Sequence, residues 1–268
     1  MEFRSKVQIE KGPFDIDVND RVLLVGSCFA DNIGKQLATD KFDVLANPYG
    51  VMYNPASICH TVEKLHGEGR LRCDVAVFTL GTNHVYVLNE TGEIVDNCQK
   101  KPQRLFTERE LSVAECGFWL NKAIDLLKSV NPDVHVIVTV SPVRYAKYGF
   151  HGSQLAKATL LLAANELDGC AYFPAYEIMN DELRDYRFYQ PDMVHPSAQA
   201  VEYIYTRFQD VYFTKRAKDF LQAWQPYKKF FAHKPFDEES EEYLRLKDKM
   251  SKEAEDLLHH FGHDVNHS

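Results

Sequence analysis

The chain has 268 residues, of which 45% are hydrophobic and 26% charged, and its formal net charge is −8. This usage is ordinary for a globular protein and supplies enough apolar material for a sizeable core. The negative charge argues against a nucleic-acid-binding surface, so we expect no nucleic-acid partner. No run reaches the roughly 18 apolar residues of a membrane span, and residues 1–15 lack the apolar core of a secretory signal. We therefore expect a cytoplasmic protein with no membrane partner.

The cysteines are scattered along the chain, with no Cys-x-x-Cys pair and no metal-ligand spacing. This pattern is typical of reduced thiols, so we expect neither a disulfide framework nor a metal site. The six are Cys28, Cys59, Cys73, Cys98, Cys116 and Cys170.

Short apolar runs rich in β-branched residues predict the strands. Residues 21–27, 74–81 and 134–143 are nearly continuous apolar segments, which is typical of strands buried on both faces of a parallel sheet. Two further short strands are predicted at 44–47 and 170–176.

Helical patterns lie between these strands, which predicts a three-layer α/β sandwich with a mostly parallel central sheet. One of them opens with a Thr-x-x-Glu capping box formed by Thr107 and Glu110. Between the strand at 74–81 and that helix, the turn-like Asn-Glu-Thr-Gly sequence in residues 86–99 predicts a small inserted hairpin. The predicted helices cover residues 29–41, 55–67, 107–132 and 152–169.

The C-terminal part of the chain becomes aromatic and then charged. Its apolar residues keep roughly helical spacing, which predicts helices packed against the body. We therefore divide the chain into an α/β domain at 1–208 and a C-terminal helical extension at 209–268 packed on the same domain. The spaced residues are Leu244, Met250, Ala254, Leu257 and Phe261.

Ser27 and Cys28 lie where the first predicted strand runs into a helix. The sequence around them is not Gly-x-Ser-x-Gly, so the nucleophile elbow of an α/β-hydrolase is absent. A serine at this point can be a nucleophile, or it can simply cap the helix. We expect Cys28 to point elsewhere and to pack under the turn, with a cysteine nucleophile as the alternative.

Asp192 and His195 lie three residues apart in a loop flanked by Pro191 and Pro196. An aspartate this close can accept the Nδ1 proton of the histidine and leave Nε2 aimed at a hydroxyl, which is the base-and-orienter half of a catalytic triad. The alternative is that Asp192 caps a turn and His195 is an ordinary surface residue.

Two further segments lie at or after the ends of predicted strands. Gly50 can present its backbone N–H to an oxyanion, or it can serve a turn. Asn83, two residues after Gly81, can donate its side-chain amide to an oxyanion, or it can close a turn. Ligands of open α/β sheets bind at these carboxyl ends of the strands.

In chain order, these segments supply Ser, Gly, Gly-x-Asn and Asp-x-x-His, and this order resembles the SGNH (GDSL-type) hydrolase superfamily. The first block reads Gly-Ser-Cys-Phe-Ala, and the chain is identified as a member of the GSCFA family within that superfamily, over about residues 20–208. The resemblance implies a flavodoxin-like α/β fold. The third block of the superfamily is usually Gly-x-Asn-Asp, and in this chain His84 stands in place of the final Asp.

The resemblance also implies the roles of the site residues. Ser27 would be the nucleophile, and His195 the general base oriented by Asp192. The oxyanion hole would consist of the backbone N–H groups of Ser27 and Gly50 and the side-chain amide of Asn83. No metal or organic cofactor is required.

The implied activity is serine-dependent hydrolysis of a small-molecule or carbohydrate acyl ester through an acyl-serine, with acylated carbohydrate suggested by analogy alone. Arg144, Tyr186 and Arg187 are candidates for substrate binding, against a structural ion pair for Arg144 and core or interface packing for the others. A homo-oligomer is left open.

Two other functions stay open, namely an O-acyltransferase and a non-catalytic binding module on an SGNH scaffold. The presence of Ser27, Asn83, Asp192 and His195 together argues against the binding module. A phosphate-binding module ranks last, because the turn after the first strand lacks both glycine-rich phosphate motifs.

Overall fold

A computed structural model describes residues 4–262 of the chain. The strands in chain order are β1 (Val22–Gly26), β2 (Val44–Ala46), β3 (Val75–Leu80), β4 (His84–Leu88), β5 (Ile94–Val95), β6 (Phe106–Glu110), β7 (His135–Val140) and β8 (Ala171–Tyr172). The helices are α1 (Cys28–Thr39), α2 (Pro55–Gly67), α3 (Val113–Val130), α4 (Gly149–Asn165), α5 (Ala175–Glu177), α6 (Ala198–Tyr212), α7 (Lys215–Ala232) and α8 (Glu241–His260).

The central sheet has the strand order β2-β1-β3-β7-β8, and every neighbouring pair in it is parallel. Successive side chains of a strand point to opposite faces of the sheet. Because β1 and β3 are buried along their whole length, both of these faces are covered by apolar layers. Leu24 packs on one face with α1, α6 and α7, and Leu23 packs on the other with α2, α3 and α4. The predicted α/β sandwich is confirmed.

The hairpin predicted between β3 and the following helix is also confirmed, as β4 and β5, and a third strand joins it. This strand, β6, pairs antiparallel with β4, so the small sheet has the order β5-β4-β6.

The helix predicted to begin at Thr107 is therefore wrong at its start. Thr107 and Glu110 belong to β6, where the backbone pairs with β4 and cannot form a helical turn. The capping box lies one turn later: Ser112 Oγ accepts from Glu115 N at 3.2 Å, and Glu115 Oε2 accepts from Ser112 N at 2.8 Å.

Other predicted elements differ from the structure mainly at their ends. The helix at 55–67 is confirmed as α2, and the strand at 44–47 as β2. The strand predicted at 170–176 contains only Ala171–Tyr172, since Pro174 ends the pairing. The helix predicted at 152–169 begins earlier, at Gly149, and ends at Asn165.

The C-terminal residues form α7 and α8, as their spacing predicts. Phe220 and Trp224 of α7 are buried against the same face of the sheet as α1, and Ala254 of α8 is buried beside them. The boundary proposed at residue 208 falls inside α6. Within residues 4–262, no helix combines the length and apolarity that a membrane crossing requires.

Candidate active site

The candidate site lies at the carboxyl edge of the central sheet. Strands β1, β3 and β7 are parallel neighbours that end at Gly26, Leu80 and Val140. Because parallel strands end at the same edge, the turns after them bring the predicted site segments to one side of the molecule.

Gly26 is required at the end of β1 by close packing. A Cβ atom at this position would lie 2.2 Å from the carbonyl oxygen of Thr79, and the φ angle of Gly26 is +148°. Only glycine fits this close approach, so the β1–α1 turn is held tightly against the end of β3.

Ser27 is the N-cap residue of α1 and is 1% exposed. Its Oγ accepts a hydrogen bond from Phe29 N at 3.3 Å and shares another with Thr79 Oγ1 at 3.1 Å. The capping role that the sequence left open is therefore present in the structure.

Cys28 is the first residue of α1 and is half-buried, so it is the more accessible of the two side chains on this turn. Burial raises the pKa of its thiol, and the Asp31 carboxylate acts in the same direction. The backbone N–H of Cys28, the Lys157 ammonium and the backbone N–H of Phe29 act in the opposite direction, because each favours the thiolate.

Asn47 connects the turn to β2. Its Oδ1 accepts from Gly26 N at 2.8 Å, and its Nδ2 donates to Asp31 Oδ1 at 2.7 Å and to Ser27 O at 3.4 Å. Asn47 has a φ angle of 41°, in the left-handed region that asparagine tolerates better than most residues. The turn is thus fixed from both sides.

Asp192 and His195 are in direct contact. His195 Nδ1 lies 2.6 Å from Asp192 Oδ2, while Asp192 Oδ1 accepts from the backbone N–H groups of Val194 and His195 at 2.9 and 3.0 Å. These backbone donors, together with the His195 ring, lower the pKa of Asp192 to about 2. The carboxylate is therefore ionised at neutral pH and orients the ring.

The loop that carries this pair is closed on itself and tied to β7. Gln190 N donates to His195 O at 2.7 Å, and an isolated antiparallel bridge joins Tyr189 to Pro196. Arg144, just after β7, donates from its backbone N to Val194 O and from Nη1 to Met193 O, both at 3.0 Å.

Arg144 therefore holds the loop of Asp192 and His195, a role that sequence analysis missed. Its guanidinium also lies 4.1 Å from the ring centre of Phe150 and 5.5 Å from that of Tyr189. In the described part of the chain Arg144 forms no ion pair, which was the structural alternative to substrate binding. Its structural role is instead the pair of hydrogen bonds to the carbonyls of Met193 and Val194.

Tyr186 and Arg187 lie on the approach to the same loop. Tyr186 is 69% exposed, and its ring centre is 6.3 Å from that of Tyr189. Arg187 pairs with Asp185 at 3.2 Å and lines a cavity of about 530 Å³ together with Arg4. Their roles in substrate binding stay predictions.

The structure does not join every predicted member of the site. No hydrogen bond among residues 4–262 links His195 to Ser27, whose Oγ is bonded to Thr79 and Phe29. Of the predicted oxyanion donors, Ser27 N donates to Thr79 O at 2.9 Å and Gly50 N donates to Asn47 O at 2.8 Å.

Asn83, the third predicted donor, is 2% exposed, and its Nδ2 donates to Leu111 O at 2.8 Å. Its Oδ1 is buried without a hydrogen-bond partner in the described part of the chain. The oxyanion hole assigned from the resemblance therefore stays a prediction, and these donors are internally bonded in this conformation.

Lys157 is a second residue at this edge of the sheet that sequence analysis did not single out. It is 2% exposed, and its Nζ donates to Gly81 O and to Ser141 O, both at 2.8 Å, which ties the end of β3 to the end of β7. Burial lowers the pKa of Lys157 to about 7. A signal was available, because Lys157 falls between Ala156 and Leu160 on the buried face of α4.

His84, which stands where the third block of the superfamily usually has Asp, is packed against an aromatic ring. The His84 ring stacks on Tyr148 at 3.6 Å between ring centres, and burial lowers the pKa of His84. Glu110 lies 3.6 Å from its Nε2. Across residues 4–262, no group of three or more His, Cys, Asp or Glu side chains is arranged to hold a metal ion.

Several solved structures are similar to this chain. One is a catalytic mutant of an acetylxylan esterase from Geobacillus stearothermophilus, with 12% identity, 75% of this chain and 98% of that chain covered, and a TM-score of 0.47. Another is a carbohydrate esterase family 3 structure from Talaromyces cellulolyticus, with 11% identity, coverages of 77% and 98%, and a TM-score of 0.42.

A third is a member of the lipolytic protein G-D-S-L family from Veillonella parvula, with 14% identity, coverages of 71% and 97%, and a TM-score of 0.45. No curated protein matches the chain. The model of the GSCFA family matches residues 21–72 and 68–208, which is well over half of the chain. This match covers the β1–α1 turn and the loop of Asp192 and His195, and the chain belongs to the GSCFA family.

Proposed function

We propose that the protein hydrolyses acyl esters through a covalent acyl-enzyme formed on the β1–α1 turn, with His195 as general base and Asp192 as the residue that orients it. The observation that carries this proposal is the 2.6 Å contact between His195 Nδ1 and Asp192 Oδ2. An ionised carboxylate at this place favours the proton on Nδ1 and leaves Nε2 as the basic nitrogen.

The position of the turn supports the same reaction. A nucleophile at the N-terminus of α1 has the positive end of the helix dipole beside it, which favours the negative charge that develops during acyl transfer. Ser27 is the nucleophile that the resemblance names, and Cys28 is the neighbouring candidate. The oxyanion donors that the resemblance assigns would have to release their present carbonyl partners before they could bind a substrate oxygen.

The reaction would proceed in two stages. His195 Nε2 takes the proton of the nucleophile as it attacks the acyl carbon, and the imidazolium then protonates the departing alcohol. Water enters, gives a proton to His195, and attacks the acyl-enzyme to release the acid and the free nucleophile. The sequence consumes one ester and one water and needs no further reactant.

The surroundings of the loop favour an acylated carbohydrate as the substrate. Exposed rings lie near it: Phe150 is packed on Arg144 and is 57% exposed, and Tyr186 is 69% exposed. Tyr53, 42% exposed, packs on Tyr145, the neighbour of Arg144. Flat aromatic faces beside a few polar groups suit the apolar face of a sugar ring.

The test is hydrolysis of p-nitrophenyl acetate by the wild-type protein and by His195→Ala. Loss of the general base should lower kcat/KM by roughly 10²- to 10⁴-fold with little change in the thermal midpoint, since the His195 side chain is 40% exposed and lies outside the core. His151→Ala, which changes an exposed histidine at the start of α4, is the matched control and should keep the wild-type rate. Equal rates for wild type and His195→Ala would contradict the proposal.

A further inference from the structure

The turn between β1 and α1 carries two side chains able to attack a carbonyl, Ser27 and Cys28. We propose that Cys28 supplies the nucleophile and that Ser27 is a structural cap. This assignment rests on the proposed function, and it replaces the acyl-serine implied by the resemblance with an acyl-thioester on Cys28.

Ser27 is occupied and enclosed. Its Oγ satisfies the N–H of Phe29 at the start of α1 and is bonded to Thr79 Oγ1 at the end of β3, and the residue is 1% exposed. A nucleophile must come within about 3–3.5 Å of the carbon that it attacks. Ser27 could do so only after its cap and its bond to Thr79 were broken and the turn had opened.

The backbone also holds Ser27 in place. Ser27 N donates to Thr79 O at 2.9 Å, and Ser27 O accepts from Ala30 N at 2.8 Å and from Asn47 Nδ2. Gly26, just before it, has no room for a side chain against Thr79. The whole environment of Ser27 is that of a residue that joins a strand to a helix.

Cys28 is differently placed. It is half-buried at the first helical position, beside the partly exposed ring of Tyr53, and a thiolate at Cys28 would raise the pKa of the Tyr53 hydroxyl. As the first residue of the helix, Cys28 has a backbone N–H with no intrahelical acceptor. This N–H and that of Phe29 both favour negative charge on the sulfur.

A second buried ionisable group, Lys157, lies at the same carboxyl edge of the sheet. The Lys157 ammonium, between the ends of β3 and β7, is close enough to favour the thiolate of Cys28, and the thiolate in turn favours the charged form of Lys157. A buried cation is costly unless a function or a partner compensates it. Gly81 O and Ser141 O already accept from Lys157 Nζ, and a transient negative charge on Cys28 would further favour its protonated form.

The chemistry balances without an added reactant. The Cys28 S–H proton passes to His195 Nε2 as the sulfur bonds to the acyl carbon, and the C–O bond to the alcohol breaks as that oxygen takes the proton. Water then gives a proton to His195 and its oxygen bonds to the acyl carbon. The C–S bond breaks, and the sulfur recovers its proton.

The test compares variants of the full chain on p-nitrophenyl acetate, with the thermal midpoint of each measured by circular dichroism. Cys28→Ala should lose roughly 10³-fold or more of kcat/KM at an unchanged midpoint. Ser27→Ala should keep turnover but melt at a lower temperature, because the helix cap is lost. Ser27→Gly removes the same hydroxyl and is a tolerated N-cap, so it serves if Ser27→Ala does not fold.

Thiol chemistry gives an independent readout. Iodoacetamide should inactivate the wild-type protein in step with alkylation of the Cys28 peptide. Cys28→Ser should be much slower from the start, and iodoacetamide should leave its residual rate unchanged. Cys98→Ala is the matched control, since Cys98 is also half-buried and lies outside the site, and it should stay sensitive.

The outcomes separate the two proposals. Full turnover by folded Cys28→Ala together with an inactive, folded Ser27 variant would overturn the assignment to Cys28 and leave the hydrolase intact. An inactive wild-type protein, or one whose rate does not depend on His195, would overturn both.

Discussion

Asp192 illustrates how a single exposed carboxylate can prepare a catalytic base. One of its oxygens receives two backbone N–H groups of its own loop, and the other contacts the ring of His195. The backbone bonds hold the carboxylate in place independently of the histidine ring. The contact with Oδ2 then fixes the orientation of that ring. Arg144 in turn holds the loop that carries Asp192, because it donates hydrogen bonds to the carbonyls of Met193 and Val194.

Asp192→Asn tests this arrangement. The amide keeps the shape of the side chain but removes the charge that favours a proton on Nδ1, so kcat should fall by about 10⁴-fold, as when the wrong histidine tautomer is selected. The loop should keep its fold, because the amide oxygen can still accept from Val194 N and His195 N. An Asp192→Asn protein with wild-type kcat would show that His195 does not depend on this contact.

The same carboxyl provides a pH marker. Its hydrogen bonds depress the pKa from an ordinary value of 3.8 to about 2, so the interactions of the ionised form are complete above pH 3.8 and are lost only as the pH falls through about 2. Carbon-13 NMR of the labelled carboxyl should therefore show a titration midpoint near pH 2. A midpoint near the ordinary value would mean that the backbone bonds are absent in solution.

At the scale of elements, the residues between β4 and α3 show where local signals compete. Thr-x-x-Glu occurs at Thr107 and again, as Ser-x-x-Glu, at Ser112, and only the second forms a capping box. The first lies in β6, where Thr107 Oγ1 donates to Asn89 Oδ1 and the backbone pairs with β4. A short motif predicts a helix start, but pairing with a distant strand decides between two copies of it.

Ser112→Ala should therefore lower the free energy of unfolding by about 1 kcal/mol, because the bonds of the Ser112 hydroxyl to Glu115 N and Glu115 Oε2 are lost. Thr107→Ala, the matched change at the rejected motif, should cost clearly less, since Thr107 is exposed in the small sheet. Urea denaturation followed by circular dichroism measures both. Equal losses would contradict the assignment of β6.

Much of the fold was predictable from the sequence for a physical reason. Strands β1, β3 and β7 are buried on both faces, so their apolar runs are continuous, and α2 has both a proline start and a glycine end. The contact between Asp192 and His195 was also predictable, since both lie in one short loop.

The contacts made across the sheet edge were not predictable. Ser27 meets Thr79, Asn47 meets Gly26, and Lys157 meets Gly81, and each pair comes from separate parts of the chain. Nothing in the local sequence of Ser27 says whether its hydroxyl is open to solvent or enclosed by the next strand. The choice between Ser27 and Cys28 therefore depends on tertiary structure.

At the scale of the whole molecule, the C-terminal helices complete the core on one face of the sheet. Trp224 of α7 is 2% exposed, and its Nε1 donates to Thr39 O at the end of α1 at 3.0 Å. Lys228 of the same helix pairs at 2.7 Å with Asp40, which is 1% exposed and also accepts from the Tyr205 hydroxyl. Helix α7 thus buries polar and apolar groups that would otherwise meet water.

Trp224→Ala should destabilise the protein by roughly 3–5 kcal/mol, because it leaves a large cavity and an unpaired carbonyl at Thr39. Phe231→Ala, on the same helix but 47% exposed, is the control and should change stability by less than about 0.5 kcal/mol. Urea unfolding should stay a single transition in both. A separate early transition in the wild-type protein would mean that α7 and α8 unfold on their own.

The buried amine of Lys157 has a consequence for the energetics of folding itself. In an unfolded chain this amine holds its proton up to its ordinary value of 10.5, whereas in the folded protein its pKa is about 7. Between these two pH values the amine of the folded form holds less than its share of the proton, so the contribution of Lys157 to stability rises with pH across this window. Folding in mild alkali therefore expels a proton into the surrounding buffer. The calorimetric heat of unfolding will then include the ionisation heat of whichever buffer gives that proton back.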